Sequence, residues 1–312
     1  MLKYYDNMTK TLTIPYKFND ILKDIPIDTE NIRFDDEEFY SKFNQEIKEN
    51  VLPDTLHTIT FSENFNQEIK ENVLPNSLHT LTFGEDFNQE IKKNVLPCSL
   101  HTLKFGLYFN QDIKEDVLPV SLHSLIFGFS FDQEIKENVL PDSLHSLIFG
   151  FSFDQEIKKN VLPGSLHTIR LGHCFNQKIK ENVLPGSLHT LTFSGKFNQE
   201  IKENILPVSL HTLIFYGERN QEINENVLNS IKKIEFSKSI KKIGLYSHCN
   251  LINNLPLWIE EVYIMFSYDD DFNKEITNLP MTLEKIIIND EKYFKYITKI
   301  PFGCDIIIQK ID

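Results

Sequence analysis

Eight histidines recur every 22 residues, at His57, His79, His101, His123, His145, His167, His189 and His211. Imidazole is a ligand for Zn²⁺, Ni²⁺ and Cu²⁺, so such a row is a candidate metal ladder. A metal site needs three or four converging ligands, whereas a row brings at most two near any point. No carboxylate or cysteine shares the row. It is therefore read as a surface residue copied along with the unit that contains it, and no metal or other cofactor is expected. A single catalytic site needs one histidine, not eight. No Ser-His-Asp set, phosphate-binding glycine loop, zinc spacing or paired buried carboxylate stands apart from the repeating pattern, so the chain is expected not to be an enzyme.

The elements that carry these histidines are set by the same period. A typical unit reads S-L-H-T-L-T-F-G-x-x-F-N-Q-E-I-K-E-N-V-L-P-x, with proline at Pro53, Pro75, Pro97, Pro119, Pro141, Pro163, Pro185 and Pro207. A fixed period in this range marks a solenoid, propeller or array in which each unit buries its apolar face on its neighbours. In one copy the apolar positions are Leu78, Leu81, Phe83, Phe87, Ile91, Val95 and Leu96. Alternation over Leu81-Thr82-Phe83 is a strand signal, with Thr80 and Thr82 pointing outward. Gly84 is expected to end the strand by letting the backbone turn. The limb from Gln89 to Val95 is too short for a regular helix and predicts a turn or a piece of 3₁₀ helix. Pro97 then resets the chain for the next strand. Asparagines at Asn66, Asn88, Asn110, Asn176, Asn198 and Asn220, alternating with Asp132 and Asp154, are expected to bond turn backbone inside their own coil. A second row, Asn72, Asn94, Asn138, Asn160, Asn182, Asn204 and Asn226, receives the same reading.

The fold class is thus a mainly β repeat solenoid, right-handed, with one parallel strand per coil of about 22 residues and short turn or 3₁₀ return limbs. We expect a single solenoid domain over 1–312: irregular N-terminal coils over 1–42, regular repeats over 43–228, and degenerate C-terminal coils over 229–312. The degenerate ends are expected to cap the core.

Composition narrows the partners. The net charge of −13 lacks the basic excess of a nucleic-acid binder, so no nucleic acid is expected. No apolar stretch approaches 18 residues, so no membrane is expected either. The N-terminus is polar, and Cys98, Cys174, Cys249 and Cys304 show no C-x-x-C spacing. They read as free thiols in a reducing, cytoplasmic compartment.

Candidate binding residues are those that vary on the constant frame. The outer strand position held by Thr60 and Thr82 becomes Lys104, Ile126, Ile148 and Arg170, and positions after the strand become Leu107, Tyr108, Phe129, Phe151 and His173. Leu107, Tyr108, Ile126, Phe129, Ile148 and Phe151 would form an exposed apolar patch rimmed by Lys104, Arg170 and His173, as interaction sites do. The alternative is that Phe129 and Phe151 tuck into the core between coils and leave no patch. The Glu68, Lys70 and Glu71 rows read as a solvated face with weak surface pairs.

The phrase L-P-x-S-L-x-x-L-x-F-G-x-x-F-N-Q-x-I, running through Phe43 to Asn220, resembles the FNIP repeat, a leucine-rich-repeat relative. It departs where Gln-Glu-Ile-Lys stands in place of a proline that often follows the glutamine. The resemblance implies a leucine-rich-repeat-like solenoid used for protein interaction, of a kind found in social amoebae and the giant viruses of amoebae. Some relatives carry an F-box or a kinase domain, and Met1 to Tyr40 shows neither pattern. The function expected is a non-enzymatic scaffold that holds an unidentified protein on its concave sheet face or the edge of that face. The alternatives are a substrate-recruiting subunit of a ubiquitin ligase without a recognisable F-box and, more weakly, a viral structural or metal-binding protein.

Overall fold

The structure is a computed structural model that describes residues 4–34, 41–202, 204–217, 239–247, 249–266 and 273–309. Asn220 and Asn226 lie outside them. The chain forms two compact units, Met1–Leu166 and His167–Asp312.

In the first unit β1 (Tyr5–Asp6) runs antiparallel to β2 (Thr11–Ile14). Parallel strands follow in chain order: β3 (Asn31–Phe34), β4 (Thr58–Thr60), β5 (Thr80–Thr82), β6 (Thr102–Lys104), β7 (Ser124–Ile126) and β8 (Ser146–Ile148). Each pairs with the next at equivalent repeat positions, so Leu81 lies opposite Leu103 and Thr82 opposite Lys104. In the second unit β9 (Thr168–Arg170), β10 (Thr190–Gly195), β11 (Thr212–Gly217), β12 (Lys242–Tyr246), β13 (Glu261–Met265), β14 (Lys285–Ile288) and β15 (Asp305–Ile308) are likewise parallel neighbours. The chain is therefore a parallel β-solenoid.

The middle residue of each three-residue strand faces in, and its neighbours are half-exposed or exposed, as alternation requires. Leu78, Leu81, Phe83, Phe87, Ile91, Val95 and Leu96 are all buried, as expected. Thr192, in the outward position of β10, is buried, unlike its equivalents Thr60 and Thr82.

Two columns of phenylalanine fill the core of the first unit. Phe83 and Phe87 stack within a coil at 3.8 Å, and each meets its equivalent in the next coil, Phe105 at 5.7 Å and Phe109 at 6.1 Å. Burying one such ring stabilises by roughly 1.5–3 kcal/mol, with about 0.5–1.5 kcal/mol more per well-placed aromatic pair.

The regular return limbs are turns, not 3₁₀ helix. The Val95 N–H donates to the Lys92 carbonyl, and Asn94 between them has φ of 65°. Asn50, Asn72, Asn138, Asn160, Asn182 and Asn204 share this left-handed conformation, with Asp116 in the same place. Asparagine and aspartate tolerate it best after glycine, which accounts for the row. Proline does more than reset the chain, because the Pro97 carbonyl accepts the Leu100 N–H and opens the turn before the strand. Two 3₁₀ helices, Asn250–Asn254 and Glu291–Tyr296, lie in the degenerate part.

At the first strands the core is closed: Leu12 and Ile14 are fully buried and Leu22 nearly so. In the coils from the 3₁₀ helix Glu291–Tyr296 to β15, Phe294, Ile300, Phe302, Ile307 and Ile308 are exposed.

Candidate functional site

Glycine positions the candidate patch. A Cβ on Gly106, Gly128 or Gly150 would lie 1.7 Å from the carbonyl oxygen of the glycine one coil earlier. These glycines have ordinary negative φ, so close approach between coils requires them, not a special turn conformation. Where the column carries Ser194 in place of glycine, β10 and β11 extend to six residues each.

The residue after each glycine is then held in register by the backbone. The Ser130 N–H donates to the Leu107 carbonyl at 2.9 Å, and the Ser152 N–H to the Phe129 carbonyl at 2.8 Å. This ladder stacks the Phe129 and Phe151 rings with centroids 4.4 Å apart and planes 6° from parallel. The two rings are 46% and 39% exposed. They do not tuck into the core, which Phe127, Phe131, Phe149 and Phe153 already fill. Tyr108 is 51% exposed and Leu107 half-buried. In a parallel column along the strands, Lys104, Ile126 and Ile148 face one another across β6, β7 and β8, with Lys104 exposed and both isoleucines half-buried. Along the first column an acidic start, Glu63 and Glu85, gives way to Leu107, Phe129 and Phe151. The first unit thus carries six apolar candidates and one cation. Arg170 and His173 belong to the second unit, where Arg170 is exposed at the end of β9 and His173 is half-buried against Gly195.

The histidine row is a stack of imidazoles. Within the first unit successive rings from His57 to His145 lie 5.1–5.3 Å apart. In the second, His167, His189 and His211 lie 5.0 and 5.4 Å apart. The backbone carbonyls of His57, His79, His101, His123, His167, His189 and His211 each accept two N–H groups from the next coil, as His57 does from His79 at 2.9 Å and Thr80 at 3.0 Å. One carboxylate does approach the row, Glu30 at 4.0 Å from His57 Nδ1. Among the described residues no three His, Cys, Asp or Glu side chains converge as metal ligands would.

The first asparagine row bonds the neighbouring coil, not its own turn. Asn66 Oδ1 accepts the Asn88 N–H at 2.9 Å and Gln89 Nε2 at 3.0 Å. The step repeats through Asp132, which accepts from Asp154 and Gln155. The repeat serine, to which the sequence reading gave no role, does similar work, Ser99 Oγ donating to the Leu78 carbonyl at 2.8 Å. A lysine ladder runs along the return limbs, with Lys70 and Lys92 each 2.5 Å from Glu46 and Glu68 and Lys114 paired to Glu90. Those hydrogen bonds hold the Glu46 and Glu90 carboxyls below the usual carboxylate range and raise Lys70, Lys92 and Lys114. These pairs are exposed and weak, as a solvated face predicts.

One ionic cluster was not legible in the sequence. Glu261 in β13 lies between Lys242 of β12 at 3.0 Å and Lys285 of β14 at 3.3 Å. Burial pushes its carboxyl up, but the hydrogen bonds and charges of the two lysines outweigh this and hold it below its ordinary value.

The fold and its repeated ladders define a leucine-rich-repeat-like β-solenoid. FNIP repeats match residues 18–64, 65–108, 109–152, 153–196 and 197–239, and the chain belongs to the FNIP repeat family. CroV588, a giant-virus protein whose crystal structure is described as a novel circular LRR structure, is 36% identical with a TM-score of 0.71. The match covers 96% of this chain and 49% of CroV588, so the chain spans about half the length of that protein. The pneumococcal vaccine antigen PcpA aligns over 99% of this chain and 82% of its own at 16% identity, with a TM-score of 0.21 that carries no argument. No curated protein matches the chain. Solenoids of this type are typically protein-interaction scaffolds and generally not enzymes. No helix among the described residues is long and apolar enough to cross a membrane.

Proposed function

We propose that the chain is a non-enzymatic scaffold that binds a protein partner through the outer sheet positions of the first unit, centred on Tyr108, Phe129 and Phe151, with Leu107, Ile126 and Ile148 around them and Lys104 at the rim. The observation that carries this reading is the Phe129–Phe151 stack, exposed at 46% and 39% and fixed by the backbone ladder beneath it. Two exposed phenylalanines left side by side in water forfeit burial that a partner would supply. A rigid aromatic pair also loses little side-chain freedom on binding, which is why aromatic anchors concentrate at the centres of interfaces. Glu63 and Glu85 lie at the acidic end of the same column and Lys104 beside it, so the partner surface is apolar at its centre with charges of both signs around it. Arg170 and His173, exposed and half-buried in the second unit, are proposed as partner contacts of that unit on its own. The test is affinity isolation with the intact chain and with Phe129→Ser/Phe151→Ser from cells that express the protein. Proteins retained by the first and lost by the second are the partners of this face. Recovery of ubiquitin-ligase subunits among them would turn the reading towards substrate recruitment.

A further inference from the structure

The lysine ladder of the return limbs breaks in the second unit. In the first unit a lysine pairs with an acid 24 residues earlier, in the preceding coil. Lys70 meets Glu46, Lys92 meets Glu68 and Lys158 meets Glu134 at 2.5 Å, and Lys136 meets Asp112 at 3.4 Å. The same step from Lys202 reaches Lys178. That position is acidic in every other coil from Glu46 to Glu200. Lys178 is exposed, and among the described residues neither it nor Lys202 has a carboxylate within ion-pair distance. An ammonium in place of a carboxylate removes the attraction found in the other limbs and adds repulsion. The two limbs part at this place. A groove of about 720 Å³ opens between Lys178–Asn182 on one side and Asn198, Gln199 and Lys202 on the other. Ile179 on its wall is half-buried, whereas its equivalents Ile69, Ile91, Ile157 and Ile201 are buried. Beside the groove the coils stay joined, because Asn176 Oδ1 accepts the Asn198 N–H at 2.9 Å and Gln199 Nε2 at 3.0 Å.

We propose that this groove is a second binding site, which takes an acidic segment of a partner protein by placing an Asp or Glu carboxylate on Lys202 and Lys178. The intact ladder shows what the site is short of. Elsewhere the lysine of this limb holds a carboxylate at 2.5 Å, and here the coil supplies none to Lys202. Lys180 lines the same groove, and so do Glu181 and Glu200. Three ammonium groups against two carboxylates leave a single positive charge. A carboxylate, with one negative charge, suits that balance better than a phosphate near two, which Glu181 and Glu200 would repel more strongly. The described lining also holds no arginine, whose planar fork matches phosphate oxygens. Concave walls focus the field of the lysines, so the groove favours an anion more than the open face around it does. General attraction does not account for such binding. A chain of net charge −13 repels acidic peptides as a whole, and recognition has to be local.

Fluorescence anisotropy of a labelled hexaglutamate peptide with the 312-residue chain tests the site. The titration runs at about 20 mM salt, where surface charges are weakly screened. The expected result is saturable binding with a Kd of about 10 µM to 1 mM. Lys178→Glu restores the acid of the ladder and is expected to weaken binding about tenfold or more, with circular dichroism unchanged. Lys178→Arg keeps the charge and is expected to keep the binding. Lys299→Glu changes the net charge by the same amount at an exposed position of the same unit, and is expected to leave the affinity within about twofold. Inorganic phosphate at equal concentration is expected not to displace the peptide. Absence of saturable binding, equal affinity in Lys178→Glu, or an equal loss in Lys299→Glu would each overturn the proposal. Displacement by phosphate would overturn it in favour of a small-anion site. None of these variants touches Phe129 or Phe151, so the outcome is separate from that of the proposed binding face.

Discussion

Asn88 Oδ1 accepts two hydrogen bonds from the following coil, from the backbone N–H of Asn110 at 2.9 Å and from Gln111 Nε2 at 3.0 Å. One side-chain oxygen thereby ties two coils together and satisfies a backbone donor that the parallel strands do not reach. Asn88→Ala leaves that partly buried donor without its acceptor and is expected to cost about 1–3 kcal/mol. Asn88→Asp keeps the acceptor, as Asp132 does naturally, and is expected to cost far less. Urea unfolding of the two variants separates the outcomes; equal losses would mean that the amide, not the acceptor oxygen, matters.

The glycine column predicts a sharp contrast between two conservative changes. Gly128→Ala places a methyl group 1.7 Å from the Gly106 carbonyl oxygen, so adjacent coils must separate. Gly164→Ala meets nothing within 4 Å. The first is expected to lower the unfolding midpoint strongly, and the second to leave it unchanged or raise it slightly, because alanine restricts the unfolded chain. Similar midpoints for both variants would contradict the close-approach account.

Phe105 is 1% exposed and stacks on Phe83, Phe109 and Phe127. Phe105→Ala removes a ring from the middle of one column and the stacking partner of Phe109 in the other, and is expected to cost about 3–5 kcal/mol. Equilibrium denaturation measures it, and an unchanged transition would mean that the inward register is wrong.

Glu261 sets a pH dependence whose sign follows from its environment. Its carboxyl is held below the unfolded value by Lys242 and Lys285, and the side-chain hydrogen bond to Glu261 raises Lys242 above its own. The carboxylate's contribution is therefore complete above the unfolded carboxyl pKa of about 4.3 and is lost as pH falls through the lower folded value. The contribution of Lys242 is complete below about 10.4 and is lost as pH rises through its raised folded value. Glu261→Gln should be less stable than the parent chain between about pH 5 and 10, and the difference should shrink towards pH 2. Melting curves of both chains across that range check this; a difference that persists undiminished at pH 2 would refute the ionic account.

Where the period is strict, much of this was legible in the sequence. Leu81-Thr82-Phe83 reads as a strand because alternation and the 22-residue step agree, and the same step predicts that Leu81 meets Leu103. The step could not say whether Asn88 serves its own turn or the next coil, since either arrangement is copied with the unit. Nor could it show why Gly128 is glycine, because the clash it avoids is with a different coil. For Phe129 and Phe151 the period left two arrangements open, and the columns already filled by Phe127 and Phe131 decide between them. The Lys242–Glu261–Lys285 cluster was hidden because the spacing drifts there, from 19 residues to 24, and only strand pairing aligns the three.

The central claim is that the exposed aromatic stack of the first unit is where a partner binds, and it is tested most directly by comparing what two variants retain. Phe129→Ser/Phe151→Ser removes the stack. Val120→Ser removes a valine of the same unit, 82% exposed, that lies in the turn before its strand. Quantitative mass spectrometry of proteins isolated from expressing cells is predicted to show a set enriched by the parent chain, kept by the valine variant and lost by the phenylalanine variant, with the circular dichroism of all three alike. Retention of that set by Phe129→Ser/Phe151→Ser would contradict the account.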